Sequence, residues 1–384
     1  MFFNPIYNLY LTKTTLNSAA MKKFNANLIC LFSFILLLSC KSATDTTIGI
    51  PKIEAGTAKI KGKVICPEEK IKDSSVVKIF VPHPVSGELF EYKATIDHLG
   101  RFSIDIDVET DISLIALYTS LKPYNSLYVK VKSGDATDIN IIYGQNMEIE
   151  DVKTNPPMRK TDMMGGIRLI NEMLGIYDSF SEPQIPLYDK SPEAYLDYIK
   201  TRVSEKLKIL TKDSLVSTEL KEILARDFRL WRYNVGAFDY ERSMIYNFKL
   251  TAKDTTVIPK IQKIDRSYFR FLKDFDLNNP QNLICSSFSN LQKETLQNKT
   301  LAIPEIAELD IPSWLSRVKA ILSDVVGFKD GPYYDILAAN AYGKQLSQDA
   351  RPLTEQQKKN IAAYWKDGEI AKILLRKNQQ VLNK

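Results

Sequence analysis

Asp97-His98-Leu99-Gly100-Arg101-Phe102-Ser103-Ile104-Asp105-Ile106-Asp107-Val108 turns once and then alternates. Gly100 can adopt the positive φ of a tight turn. After it Phe102, Ile104, Ile106 and Val108 fall on one face of a strand and the polar residues on the other. The acids read as a solvated face, because the order lacks the glycine and terminal glutamate of a calcium loop. The same pattern surrounds this hairpin. Strands are expected at about 58–66, 75–82, 89–96, 101–107, 112–118, 126–132 and 138–143, with turn residues at about ten-residue intervals. That spacing predicts an antiparallel β-sandwich of about seven strands over 57–148.

Downstream the period changes. Residues 149–165 contain Pro156-Pro157 and Gly165-Gly166 and read as a linker. From 166 to 384 apolar residues recur at helical spacing, first at Ile167, Ile170 and Leu174. Ser191-Pro192 is an N-cap with proline at the first helical position, and Thr354 with Gln357 fits a capping box. A long helix is expected from Ser217 through Ile245, another over 257–275, and others at 312–323, 334–347, 354–365 and 368–382. The fold class is therefore α+β in two domains, a sandwich followed by an all-α body of about eight helices. The aromatics at helical spacing read as core. Ile370, Ile373, Leu374 and Val381 give the last helix an apolar stripe whose partner the sequence does not name.

Upstream, Met21-Lys22-Lys23 precedes an apolar run from Leu28 to Leu38, and Leu37-Leu38-Ser39-Cys40 follows. Eleven residues span roughly 16 Å as a helix, about half a bilayer core, so this is a secretory signal rather than a membrane span. The ending resembles a bacterial lipobox, which implies that Cys40 is acylated and becomes the mature N-terminus. Residues 1–20 read as untranslated leader, 21–40 as the lipoprotein signal peptide and 41–56 as a tether. Lys41-Ser42 lacks an aspartate after the cysteine, which points to the outer membrane, facing the periplasm.

The formal net charge is +6, and residues 1–40 hold three lysines and no acid, leaving +6 − 3 = +3. Spread over the remaining chain, that balance gives no nucleic-acid partner. Chemistry-bearing motifs are few. His83 and His98 both fall in expected turns, and neither lies in a nucleophile motif. No pair of ligands stands at zinc spacing, no phosphate-binding glycine loop occurs, and no cofactor is implied. Besides Cys30 and Cys40 the chain has Cys66 and Cys285, read as isolated thiols rather than a disulfide. No catalytic residue is assigned. Asp45-Thr46-Thr47, Asp213-Ser214-Leu215 and Asp254-Thr255-Thr256 resemble a short O-glycosylation sequon.

Four segments in order carry a wider resemblance: Lys59-Ile60-Lys61-Gly62-Lys63-Val64, the hairpin Ile96–Phe102, Gly331–Asn340 and Gly368–Lys377. With the lipobox they resemble the N-terminal, non-thioredoxin region of TlpA-like thiol-disulfide oxidoreductase lipoproteins. In that family the segment matching 368–384 leads into a thioredoxin fold with a Trp-Cys-x-x-Cys motif, whose thiolate is the attacking group. This sequence contains no CxxC, so no catalytic residue carries over. The resemblance implies a membrane-anchored accessory or truncated module, with the membrane and a thioredoxin-fold protein as partners. Two other readings stay open, an independent peptide- or glycan-binding lipoprotein and an enzyme of another type.

Overall fold

The computed structural model describes residues 47–67, 74–122, 126–175, 185–254, 256 and 259–383. The leader, the signal and Cys40 lie outside the described residues, as does the first part of the tether. Eight strands form two four-stranded sheets. They are β1 (Ile53–Ile65), β2 (Val76–His83), β3 (Glu88–Thr95), β4 (Arg101–Thr110), β5 (Ile112–Thr119), β6 (Leu127–Lys132), β7 (Ala136–Tyr143) and β8 (Ile149–Asn155). One sheet has the order β4-β1-β7-β8 and the other β3-β2-β5-β6. Between them lie Ile60, Val64, Ile79, Val81, Ile106, Val108, Val129 and Ile141, all essentially without solvent exposure.

The sandwich departs from the sequence expectation in two ways. It is not wholly antiparallel, because β1 pairs with β7 in parallel, Lys59 opposite Ala136. Parallel neighbours need a long crossover, and here the intervening strands β2–β6 supply it. The eighth strand falls where a linker was expected. β8 pairs only with β7 and buries a single side chain, Val152, so its sequence carries no alternation. An edge strand can be this polar because one neighbour and one buried residue suffice to hold it.

The expected linker also holds the first turns of α1 (Lys160–Leu174). Gly165 and Gly166 lie inside that helix. A Cβ on Gly166 would stand 2.5 Å from Cδ2 of Tyr128 on β6, so the glycine permits helix-on-sheet contact rather than a flexible joint. The helical part continues with α2 (Pro192–Lys212), α3 (Thr218–Gly236), α4 (Tyr240–Thr251), α5 (Ser286–Gln297), α6 (Ile311–Val326), α7 (Pro332–Ser347), α8 (Glu355–Trp365) and α9 (Glu369–Leu382), with 3-10 segments at Arg266–Phe275 and Pro280–Ile284.

The long helix expected from Ser217 breaks after Gly236. Its carbonyl accepts hydrogen bonds from Tyr195 Oη and Ser243 Oγ, both at 2.8 Å, and Asp239 caps α4 through the Arg242 N–H. Those side chains satisfy helix-end groups that a continuous helix would have paired internally. The helix expected over 257–275 is replaced by the 3-10 segment, capped by Asp265. Ser191 and the Thr354–Gln357 capping box act as their sequences indicate. Phe228, Phe238, Phe269, Phe288, Trp314, Tyr333 and Tyr342 are buried, which confirms the aromatics as core.

The described part of the tether is not free chain. Ile48 is 3% exposed, and the N–H groups of Ile48 and Gly49 each donate to Glu219 of α3 at 2.8 Å. Lys52 N–H donates to Asp111, and β1 begins one residue later. Polar composition suggested a tether because the partners of these backbone groups lie far away in sequence.

Candidate functional site: the charged junction of sandwich and last helix

β1 and β4 pair Ile53 with Thr110 and Gly56 with Val108, so Glu54 and Ala55 together face Glu109. Two residues opposite one is a β-bulge, and a bulge leaves backbone groups without a ladder partner. The last helix lies over it. Ala55 N–H donates to Glu369 at 2.7 Å, and Arg376 donates to the carbonyls of Gly56 at 2.7 Å and Val108 at 3.1 Å. Arg376 also stands 3.4 Å from Asp107, whose other carboxylate oxygen accepts from Gln380 Nε2 at 2.6 Å. Glu369, Arg376 and Gln380 are seven and eleven residues apart, nearly whole turns of an α-helix, so one polar stripe of α9 faces the sandwich. The adjacent apolar stripe, Ile370, Ile373 and Leu374, is buried against the bundle. The question of what covers this helix thus has two answers, one on each flank.

Beside the polar stripe is a buried charge cluster. His83 closes β2 and is 5% exposed, not in a solvent-facing turn as its sequence position suggested. Its Nε2 donates to the Asp107 carbonyl at 3.0 Å. Its Nδ1 lies 3.8 Å from Glu88 and 4.0 Å from Glu109. Lys377, itself 9% exposed, reaches in from α9 to pair with Glu88 and stands 5.0 Å over the ring of Phe90. Burial alone would lower the His83 pKa, but Glu109 and then Glu88 outweigh it and the imidazole is pushed above its ordinary range. Burial opposes ionisation of Glu88 as well, yet His83 and Lys377 overcome it and hold that carboxyl down at about 2.

Glu109 serves a second purpose. It accepts from the Val85 N–H at 2.7 Å and the Ser86 N–H at 3.0 Å, so the turn after β2 wraps a carboxylate. The other side of that turn meets the bundle. Asn340 on α7 donates to the carbonyls of Pro84 at 2.7 Å and Val85 at 3.1 Å, and Ser289 on α5 donates to the His83 carbonyl at 3.4 Å. Gly343 lets α7 approach closely, since a Cβ there would lie 2.2 Å from the Ser86 carbonyl oxygen.

The cluster is built for holding rather than for turnover. One ring nitrogen of His83 is committed to a carbonyl and the other faces two carboxylates, so neither addresses a hydroxyl or thiol. His98 is exposed in the β3–β4 turn. Cys66 is half-buried just past β1 and Cys285 is buried, both as thiols. Burial, and then Asp227, push the Cys285 thiol well above its ordinary pKa, the reverse of an activated nucleophile. No group of three or more metal-ligating side chains occurs among the described residues. Asp105 is exposed as expected, but Asp107 is half-buried beneath Arg376 and Gln380 of α9. One signal for this site was present in the sequence: a helix carrying a polar stripe beside its apolar one.

No family model matches the chain, and no curated protein sequence matches it.

Proposed function

We propose that this chain is a membrane-anchored lipoprotein, acylated at Cys40, that acts as a non-catalytic accessory module related to the N-terminal region of TlpA-like thiol-disulfide oxidoreductases. The placement is the periplasmic face of the outer membrane, and the partner class is a thioredoxin-fold protein. One observation carries the reading. Of the four segments that resemble this family, Gly331–Asn340 and Gly368–Lys377 bring Asn340, Glu369, Arg376 and Lys377 to a single junction, and Lys59–Val64 lies in the strand that α9 clamps. Gly368–Lys377 thus fixes α9 on the sandwich and Gly331–Asn340 fixes α7 on the β2–β3 turn, as a rigid mount for a partner requires. A peptide- or glycan-binding cleft would need an open, aromatic-lined junction, and this one is filled with ion pairs.

Two measurements test the proposal. Intact mass of the membrane-extracted protein should show diacyl or triacyl modification that Cys40→Ala removes. Insulin reduction by residues 41–384 should stay at the uncatalysed rate. Unmodified Cys40 or clear turnover overturns the corresponding half of the reading.

A further inference from the structure

The point where the chain enters the folded body is fixed. Ile48 and Gly49 are held by Glu219, the Gly49 carbonyl accepts from Gln281 Nε2 at 3.1 Å, the Thr47 carbonyl accepts from Lys130, and Lys52 is held by Asp111. These contacts come from α3, the Pro280–Ile284 segment, β6 and the β4–β5 turn. All of them lie at one end of the sandwich. β1 starts there opposite Thr110, and the β6–β7 turn joins it through Ser133 N–H to the Asp111 carbonyl. The β3–β4 hairpin, with Leu99 at its tip, lies at the other end of β4. Ten residues of strand separate the two ends by roughly 30 Å.

Seven residue steps separate Cys40 from Thr47, and a trans chain reaches at most about 3.6 Å per step, or about 25 Å in all. An acylated Cys40 sits at the headgroup level. The entry end of the body therefore cannot rise further than this from the bilayer, whereas the Leu99 end can. Two large aliphatic side chains stand exposed at the entry end. Ile50, 63% exposed, follows the pinned Gly49, and Leu215, 59% exposed, lies four residues before Glu219 in the α2–α3 loop. Cationic side chains accompany them. Lys52 adjoins Ile50, Arg159 donates to the Leu215 carbonyl at 3.2 Å, and Lys221 donates to the Asp213 carbonyl at 2.9 Å. Isolated aliphatics flanked by lysine and arginine suit the interfacial zone of a bilayer, where apolar tips insert and cations meet phosphate.

We infer that the entry end, bearing Ile50 and Leu215, faces and touches the bilayer that holds the protein's own lipid, with the β3–β4 hairpin pointing away from it. The inference rests on the reading of Cys40 as the acylated residue. It adds an orientation that the anchor alone does not impose, since a leash of this length also permits the body to lie on its side.

The test uses the full lipoprotein, purified from membranes and reconstituted in phosphatidylcholine–phosphatidylglycerol vesicles containing lipids brominated on their acyl chains. In a Cys66→Ser background, Leu215→Cys and Leu99→Cys each receive the same environment-sensitive fluorophore. Both positions are exposed leucines, so neither change removes core packing, and circular dichroism melts check the fold. Loss of fluorescence at Leu215→Cys with none at Leu99→Cys supports the orientation. Equal quenching at both, or quenching only at Leu99→Cys, overturns it while leaving the anchor intact. Intact mass of the same samples reports acylation separately: without it the anchor reading fails, and the orientation falls with it.

Discussion

Arg376 donates a 2.7 Å hydrogen bond to the carbonyl of Gly56, joining residues 320 positions apart. The contact lies beside the β1 bulge at Glu54 and Ala55, where α9 brings a guanidinium to the strand. The same side chain reaches the Val108 carbonyl and Asp107. Arg376→Met, which keeps most of the apolar stem, should destabilise the protein by about 2 kcal/mol, in the range of a charge-assisted bond lost at a part-buried site. Urea unfolding followed by circular dichroism measures it. A change below about 0.5 kcal/mol, the level of an ordinary surface substitution, would show that water replaces the contact at no cost.

The ion pair between Lys377 and Glu88 should behave as a unit. Removing one member leaves the other buried, so Lys377→Met is expected to cost about 3 kcal/mol. Adding Glu88→Gln to Lys377→Met should recover part of that loss. A double-mutant cycle checks it. Additive losses would mean the two side chains do not depend on each other.

Stability should depend on pH from both directions. The His83 pKa is raised above its ordinary 6.5, so its contribution is complete below about pH 6.5 and fades as pH rises through the folded value. The Glu88 pKa is lowered from 4.5 to about 2, so its contribution is present above 4.5 and fades as pH falls towards 2. Melting temperature against pH should therefore decline on the alkaline side in the native protein, and His83→Gln should flatten that limb while leaving the acid limb in place. An unchanged alkaline limb in the variant would remove His83 from the account.

Gly343 is expected to tolerate no side chain. Gly343→Ala places a methyl against the Ser86 carbonyl and should cost about 1–3 kcal/mol as overpacking. A denaturant melt of this variant beside Gly134→Ala, where an added Cβ meets nothing within 4 Å but φ is +78°, separates crowding from backbone strain.

Cys285 should resist thiol reagents in the folded protein and react on unfolding. It is 2% exposed and its thiolate is disfavoured by burial. Timed labelling read by mass spectrometry distinguishes it from half-buried Cys66. Rapid native labelling of Cys285 would show that the α3–α5 contact opens readily.

Much of the fold was legible from local pattern. The hairpin at Asp97–Phe102 forms as written, with Asp97 accepting from the N–H groups of Leu99 and Arg101 and Gly100 at φ +80°. Seven strands and the capped helix starts followed from alternation, turn residues and N-caps, because each is decided within a few residues. β8 escaped because an edge strand with one buried residue has no period to read. The break after Gly236 escaped because the side chains that satisfy its carbonyl come from Tyr195, on another helix, and Ser243, beyond the break.

The candidate site was almost wholly illegible. His83 looked like a turn residue, Asp107 like part of a solvated face, and residues 47–52 like a tether. Each is defined by a partner in another element: Glu109 and Glu88 for the imidazole, Gln380 and Arg376 for the carboxylate, Glu219 for the entering chain. The sequence by itself determined most of the secondary structure, the α+β order and the expectation of an acylated Cys40, since backbone propensity and short motifs act locally. Tertiary structure alone decided which charges are buried, what the last helix covers and where the chain is pinned, because burial and pairing arise only when distant segments exclude water together.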